Sequence, residues 1–180
     1  KAAVNGLYVT SLAQAALTDV LIDELQPHPV DGSLGIGMLV SGAGQVQVQR
    51  VRVHAARLMA AYVADPGTVV SGEGWVIDGT VAESGTTPLG NGLVVSGGAR
   101  VDLRALRAVR NGAIQLFAMD ADTEVTLRES AIVRSQPSSA PLTLGFGVVA
   151  KAGAHVTLDR CQVTGNVASG VFAIGDGTLL

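Results

Sequence analysis

Apolar and polar residues alternate along this chain in short runs, and glycine, aspartate, asparagine and serine punctuate them. Val46-Gln47-Val48 and Val125-Thr126-Leu127 each read apolar, polar, apolar. A second pair follows each triplet after a turn, Val51 and Val53 in one case and Ser130 and Ile132 in another. A third stretch, such as Ala60 to Ala64 or Val148 to Ala150, then leads into a Gly-rich turn. Period-two alternation in segments this short predicts strands with one buried face. No segment holds a 3.6-residue apolar period over the roughly 10 residues that a repeat helix needs. The abundance of Val, Thr and Gly also weighs against helix.

The pattern repeats at an offset of 55 residues without a gap. Leu34-Gly35-Ile36-Gly37 falls on Leu89-Gly90-Asn91-Gly92 and on Leu144-Gly145-Phe146-Gly147, and Ile22 falls on Ile77 and Ile132. Val46, Val101 and Val156 share a column, as do Val48, Leu103 and Leu158, and Tyr62, Phe117 and Phe172. Each unit divides into a long piece of 31 residues (15–45, 70–100, 125–155) and a short one of 24 (46–69, 101–124, 156–179). Each piece predicts one coil of three short strands. Stacking equivalent strands about 4.8 Å apart lets every coil satisfy its backbone groups on the coils above and below. A leucine-rich repeat would need a fixed Asn or Cys column after its leucines, and that column is missing.

The chain resembles the right-handed parallel β-helix of pectate-lyase-like and parallel β-helix repeat proteins. The run from Val156 to Ile174, with Val156-Thr157-Leu158, Cys161, Val163, Asn166 and Val171, is the closest match to that repeat. The resemblance covers residues 7–180 and implies an all-β, right-handed parallel β-helix, a solenoid of about 6–7 coils alternating 31 and 24 residues. It further implies a single domain over 1–180. At about 4.8 Å per coil the rod would be near 30 Å long. Residues 1–14 supply a partial coil and neither end carries a polar cap, so the segment is expected to belong to a longer solenoid or to associate end to end through uncapped coils.

Composition narrows the partners. Twelve basic residues stand against fifteen acidic ones, a net charge of −3, with 48% apolar and 15% charged residues. That excludes a disordered tail and gives no overall attraction to nucleic acid, which is not expected as a partner. Three Phe, two Tyr and one Trp leave few rings for stacking. The longest apolar stretches, Leu58 to Ala64 and Leu144 to Ala150, fall far short of the roughly 20 residues a transmembrane helix needs, so no transmembrane segment is expected. The single Cys161 excludes an internal disulfide and a multi-cysteine metal site. It shares a column with Val51 and Leu106 and is expected to be buried and inert. Trp75, in the column of Val20 and Ser130, is expected in the core.

Long and short pieces align if the extra residues of each long piece lie between the second and third strands. The insertions, Asp23 to Ser33, Asp78 to Pro88 and Val133 to Thr143, then recur on one side about 10 Å apart. Repeat proteins often place a binding face on such a side. Asp23, His28, Asp78, Glu83 and Arg134 are therefore the candidate ligand-binding residues. Asp23 and Asp78 would stand about 10 Å apart, just beyond the separation of an inverting carboxylate pair. Asp120 is expected to pair with Lys151, and His28, His54 and His155 to be solvated. Asn111 and Asn166 are expected to bond locally at turns. Arg50, Arg52, Arg104, Arg107, Arg128 and Arg160, interleaved with Asp102, Glu129 and Asp159, should form a self-neutralising surface ladder.

The expected function is a rigid scaffold or binding module recognising a glycan or protein on the loop side. The location that the resemblance implies is extracellular, cell-surface or periplasmic. The alternative is a polysaccharide lyase or glycoside hydrolase with catalytic coils partly outside this segment. Only that alternative brings a cofactor, Ca²⁺, which needs 6 to 8 oxygens within about 2.6 Å; the sequence supplies no such acidic cluster, and no metal site or catalytic residue is expected. An ice-binding face would need a flat Thr-x-Thr ladder, and the mixed columns do not supply one.

Overall fold

The computed structural model describes residues 5–25, 35–81, 90–137 and 145–180. Among them the chain forms strands and turns and no helix. In chain order the strands are β1 (Asn5–Val9), β2 (Gln14–Thr18), β3 (Leu21–Asp23), β4 (Ile36–Val40), β5 (Gln45–Gln49), β6 (Arg52–His54), β7 (Met59–Ala64), β8 (Val69–Glu73), β9 (Val76–Asp78), β10 (Asn91–Ser96), β11 (Arg100–Arg104), β12 (Arg107–Val109), β13 (Ile114–Met119), β14 (Glu124–Arg128), β15 (Ala131–Val133), β16 (Phe146–Lys151), β17 (His155–Asp159), β18 (Gln162–Thr164) and β19 (Ser169–Ile174). They enter three sheets in rotation. Sheet 1 runs β1-β4-β7-β10-β13-β16-β19, sheet 2 runs β2-β5-β8-β11-β14-β17, and sheet 3 runs β3-β6-β9-β12-β15-β18. All pairings are parallel, so this is an all-β assembly of three parallel sheets, consistent with a β-solenoid.

Register follows the repeat. In sheet 2, Ala15 pairs with Val46, Val46 with Val70, Val70 with Val101, Val101 with Val125 and Val125 with Val156, alternating steps of 31 and 24. Sheet 3 keeps the same steps through Ile22, Val53, Ile77, Ala108, Ile132 and Val163. Sheet 1 departs by one residue: Val63 pairs with Val40 and Val95, steps of 23 and 32. The cause is turn length. Residues 65–68 and 120–123 follow β7 and β13, whereas the turns after β10 and β16 are one residue shorter, 97–99 and 152–154. The long-coil insertions do fall between sheet 3 and sheet 1, after Asp23, Asp78 and Val133.

The interior is filled by like side chains stacked in columns. Val46, Val70, Val101, Val125 and Val156 form one, and Val53, Ile77, Ala108 and Ile132 another, all buried. Trp75 occupies the corner between sheets 2 and 3 with Val51 and Leu106 as its column neighbours, and all three are buried. Cys161 continues that column but is only half-buried, because β18 is the edge strand of sheet 3 and no described coil stacks beyond it. Its Sγ lies 3.4 Å from the Leu127 and Asp159 carbonyls.

Corners impose backbone requirements that override residue type. Asp19, Arg50, Gly74, Ala105, Glu129 and Arg160, one per coil between sheets 2 and 3, have φ of 55°, 52°, 69°, 54°, 50° and 52°. A left-handed residue there reverses the side-chain alternation and swings the chain into the next sheet. Glycine in Leu-Gly-x-Gly has a different cause. A Cβ at Gly37, Gly92 or Gly147 would stand 2.3–2.4 Å from the carbonyl oxygen of Ala60, Gln115 or Gly170 in the next coil, so no side chain fits.

Two expectations about polar residues need correction. Asp120 forms no ion pair with Lys151, meeting only that residue's carbonyl through its backbone N–H at 3.2 Å: the register shift places Met119 opposite the lysine. Its carboxylate instead accepts the Gly97 N–H at 3.2 Å, as Asp65 accepts that of Gly42 at 3.0 Å. Asn111 does not bond only locally. It is fully buried, its Oδ1 accepts the Thr80 N–H one coil earlier at 3.0 Å, and its amide donates to Gln115 Oε1. Asn166 repeats this on the Ser135 N–H at 3.1 Å. At a buried corner an asparagine can satisfy backbone that no ladder reaches. Sequence reading also passed over Thr68, Thr123 and Thr178, whose hydroxyls accept the N–H of Ala43, Gly98 and Gly153 at 3.0–3.1 Å; their 55-residue spacing was the available signal.

Candidate functional site

The side carrying the insertions has two margins, the ends of the sheet 3 strands and the outer face of sheet 1. Asp23, His54 and Asp78 form the last register column of β3, β6 and β9, so one histidine stands between the two candidate carboxylates. His54 is not simply solvated, as expected, since its Nδ1 lies 2.7 Å from Asp23 Oδ1. That hydrogen bond, opposed by partial desolvation and aided by the charges of His54 and Arg52, holds the Asp23 carboxyl below the usual aspartate range.

Asp78 is different. Its side chain is 7% exposed, and its carboxylate accepts Arg110 Nη2 at 2.7 Å and Arg52 Nη2 at 3.2 Å. Arg52 comes from the preceding coil and Arg110 from the following one, so one carboxylate ties three coils together. Both guanidiniums keep half their surface in water, which supplies their remaining donors with partners. With both oxygens engaged by arginines and the side chain almost wholly buried, this geometry suits anchoring of the loop base better than contact with a substrate. Arg134 is exposed, sits at a left-handed corner with φ of 57°, and has no ion pair among the described residues. His28 and Glu83 lie outside the described residues.

The arginine ladder forms in part, since Arg52 turns instead to Asp78 and Arg107 makes no ion pair among the described residues. Arg50 pairs with Asp19 at 2.6 Å and Arg104 with Glu129 at 2.8 Å, Arg128 pairs with Asp102, and Arg160 with Asp159 at 3.2 Å. Hydrogen bonding to its partner lowers the Asp19 carboxyl and raises the Arg50 guanidinium, and Glu129 raises Arg104 likewise. Sheet 2 also bears a shallow neutral trough lined by Gln14, Gln45, Gln47, Ala16 and Ser71, with no charge or deep wall to select a ligand.

Sheet 1 bears the more distinctive surface. Tyr8, Leu39, Tyr62, Val94, Phe117, Val149 and Phe172 make one continuous register column. Met38 and Val40, Ala61 and Val63, and Leu116 and Ala118 flank it and are fully buried in the interior. Strand alternation therefore turns the column outward. Phe146 stands in the adjacent outward column, its ring centroid 5.6 Å from that of Phe172. All three Phe and both Tyr of the chain thus share one face. Ala113, Ile114 and Val149, with Phe117 and Phe146 packed on them, form an apolar cluster separate from the interior. The sequence placed Tyr62, Phe117 and Phe172 in one column; that it points outward followed only once Ala61 and Val63 were known to be inside.

No family model matches the chain, no curated protein matches it, and no solved structure matches it.

Proposed function

We propose that the protein is a rigid right-handed parallel β-helix of about six to seven coils, related to the pectate-lyase-like architecture, that acts outside the cytoplasm as a glycan-binding scaffold on its loop side. The observation that carries this reading is the outer face of sheet 1: every phenylalanine and tyrosine of a ring-poor chain is collected on the sheet that each insertion enters. Solvent-facing rings are costly unless a partner uses them, and stacking on the apolar face of a sugar is such a use. The stacked coils give those rings a fixed spacing.

Affinity electrophoresis through gels containing neutral or acidic polysaccharides tests the reading. Retardation by at least one polysaccharide, without new reducing or unsaturated ends in the presence or absence of Ca²⁺, is the expected result. Release of such ends would replace the scaffold by a lyase or hydrolase. No retardation in any gel would remove the glycan and leave a protein partner.

A further inference from the structure

The outward column of sheet 1 alternates. Rings at Tyr8, Tyr62, Phe117 and Phe172 occupy every second strand, and Leu39, Val94 and Val149 fill the strands between. With strands about 4.8 Å apart, successive rings recur at about 9.6 Å along the stacking direction. The aliphatic positions serve as a bed. Val94 keeps 3% and Val149 6% of its surface, although both point outward. Ser96 Oγ donates to Tyr62 Oη at 3.0 Å, so the Tyr62 ring leans across onto the next coil, and Phe117 is packed against the cluster containing Val149. Rings laid over their neighbours present a face to solvent, whereas rings standing upright would present an edge. The end rings remain open, Tyr8 at 57% and Phe172 at 41%.

We infer, building on the glycan-binding reading above, that this column is a linear stacking platform for a neutral, extended, β-1,4-linked polysaccharide lying across the strands. In such a chain successive sugars are turned over, so the same apolar face returns at every second residue, at nearly the two-strand spacing of the rings. An α-1,4-linked chain curls and cannot keep that period over four rings. No lysine or arginine lies in the column, and the strands of sheet 1 carry a single charged residue, Lys151 at the end of β16, which favours an uncharged polymer over an acidic one.

Titration of the intact chain with cello-oligosaccharides of two to six sugars, malto-oligosaccharides of the same lengths and polygalacturonate, followed by calorimetry, tests the inference. Affinity should rise with cello-oligosaccharide length as a second ring is engaged, with malto-oligosaccharides weaker throughout. Tyr62→Ala and Phe117→Ala should each weaken binding about three- to tenfold, the range of one aromatic contact, and Tyr62→Phe should retain it. Circular dichroism and a melting curve on each variant establish that it is folded; a variant that fails this is replaced by Phe172→Ala, which is half-exposed on the last strand. Length-independent binding, preference for the α-linked or acidic polymer, or unchanged affinity in folded variants overturns the platform while leaving a glycan site elsewhere on the loop side. Absence of binding to every glycan overturns the glycan reading itself. A ring-dependent dimer in sedimentation would assign the face to a second copy.

Discussion

At single positions the solenoid decides residue type by the space between coils. Gly72 lies in the inward column otherwise filled by Leu17, Val48, Leu103, Leu127 and Leu158. Its φ is 136°, and a Cβ there would sit 1.9 Å from the Val48 carbonyl oxygen. Gly72→Ala is therefore expected to cost at least about 3 kcal/mol, read from urea unfolding, because backbone rather than a rotatable side chain must move. Ala105 is the opposite case. It holds φ of 54° with a Cβ, so Ala105→Gly should stabilise by about 0.5–1 kcal/mol, the strain of a left-handed residue exceeding the extra chain entropy of glycine. Thr123 is fully buried and caps Gly98. Thr123→Val should cost about 1–3 kcal/mol by stranding that N–H. The column of Gly37, Gly92 and Gly147 and that of the threonines recur every 55 residues in the sequence, whereas Gly72 interrupts a column of leucine and valine; the carbonyl that excludes a Cβ and the N–H that needs a hydroxyl both belong to the neighbouring coil, 23 to 25 positions away, and no local pattern announces them.

Between strands, ion pairs differ in worth according to burial. Arg50 and Asp19 are both more than half exposed, so Arg50→Ala should leave the urea midpoint almost unchanged. Asp78 is buried beneath Arg52 and Arg110. Asp78→Ala should cost more, about 2–3 kcal/mol, because three coils lose a common tie; the half-exposed arginines recover part of the loss in water. Acid acts on the depressed carboxyls. Asp19 and Asp23 have folded values below their unfolded ones, so their stabilisation is present above the ordinary aspartate range and is lost as pH falls below about 4, through the depressed folded values. Melting temperatures from pH 7 to 2 should decline mainly there, and less so in Asp23→Asn. The arginine ladder was legible because acids and bases alternate on the outward positions of successive strands. The pairing of His54 with Asp23 was legible only as a shared column, since Asp23 ends β3 and His54 ends the equivalent strand one coil later. The one-residue shift in sheet 1 was not, because Asp65 and Asp120, which open the longer turns, look like ordinary turn residues in sequence.

For the whole molecule, the 55-residue period is a statement about what may be removed. Each strand pairs with the equivalent strand one coil away, so stability approximates a sum of coil and nearest-neighbour terms. That long-range pairing was readable from Ile22, Ile77 and Ile132, which the structure stacks in sheet 3 with Val53 and Ala108 between them. Excising residues 70–124 joins Val69 to Val125 and leaves every remaining residue in its column. Val125 then pairs with Val46 at the original 24-residue step, and the alternation of long and short coils continues. Excising 70–90 instead removes β8 and β9 but keeps β10, so one sheet 1 strand follows another and every later strand is rotated into the wrong sheet. The 55-residue deletion should give a monomeric protein with the parent's β-type circular dichroism, a single cooperative melt and a lower midpoint, while the deletion of 70–90 should aggregate or remain unfolded. Equal behaviour of the two would mean that strand identity is not carried by the period. In the first variant Tyr62 is followed two coils later by Phe172, so the ring alternation also survives; if those rings form the platform, its affinity for long cello-oligosaccharides should fall only by the ring that was removed.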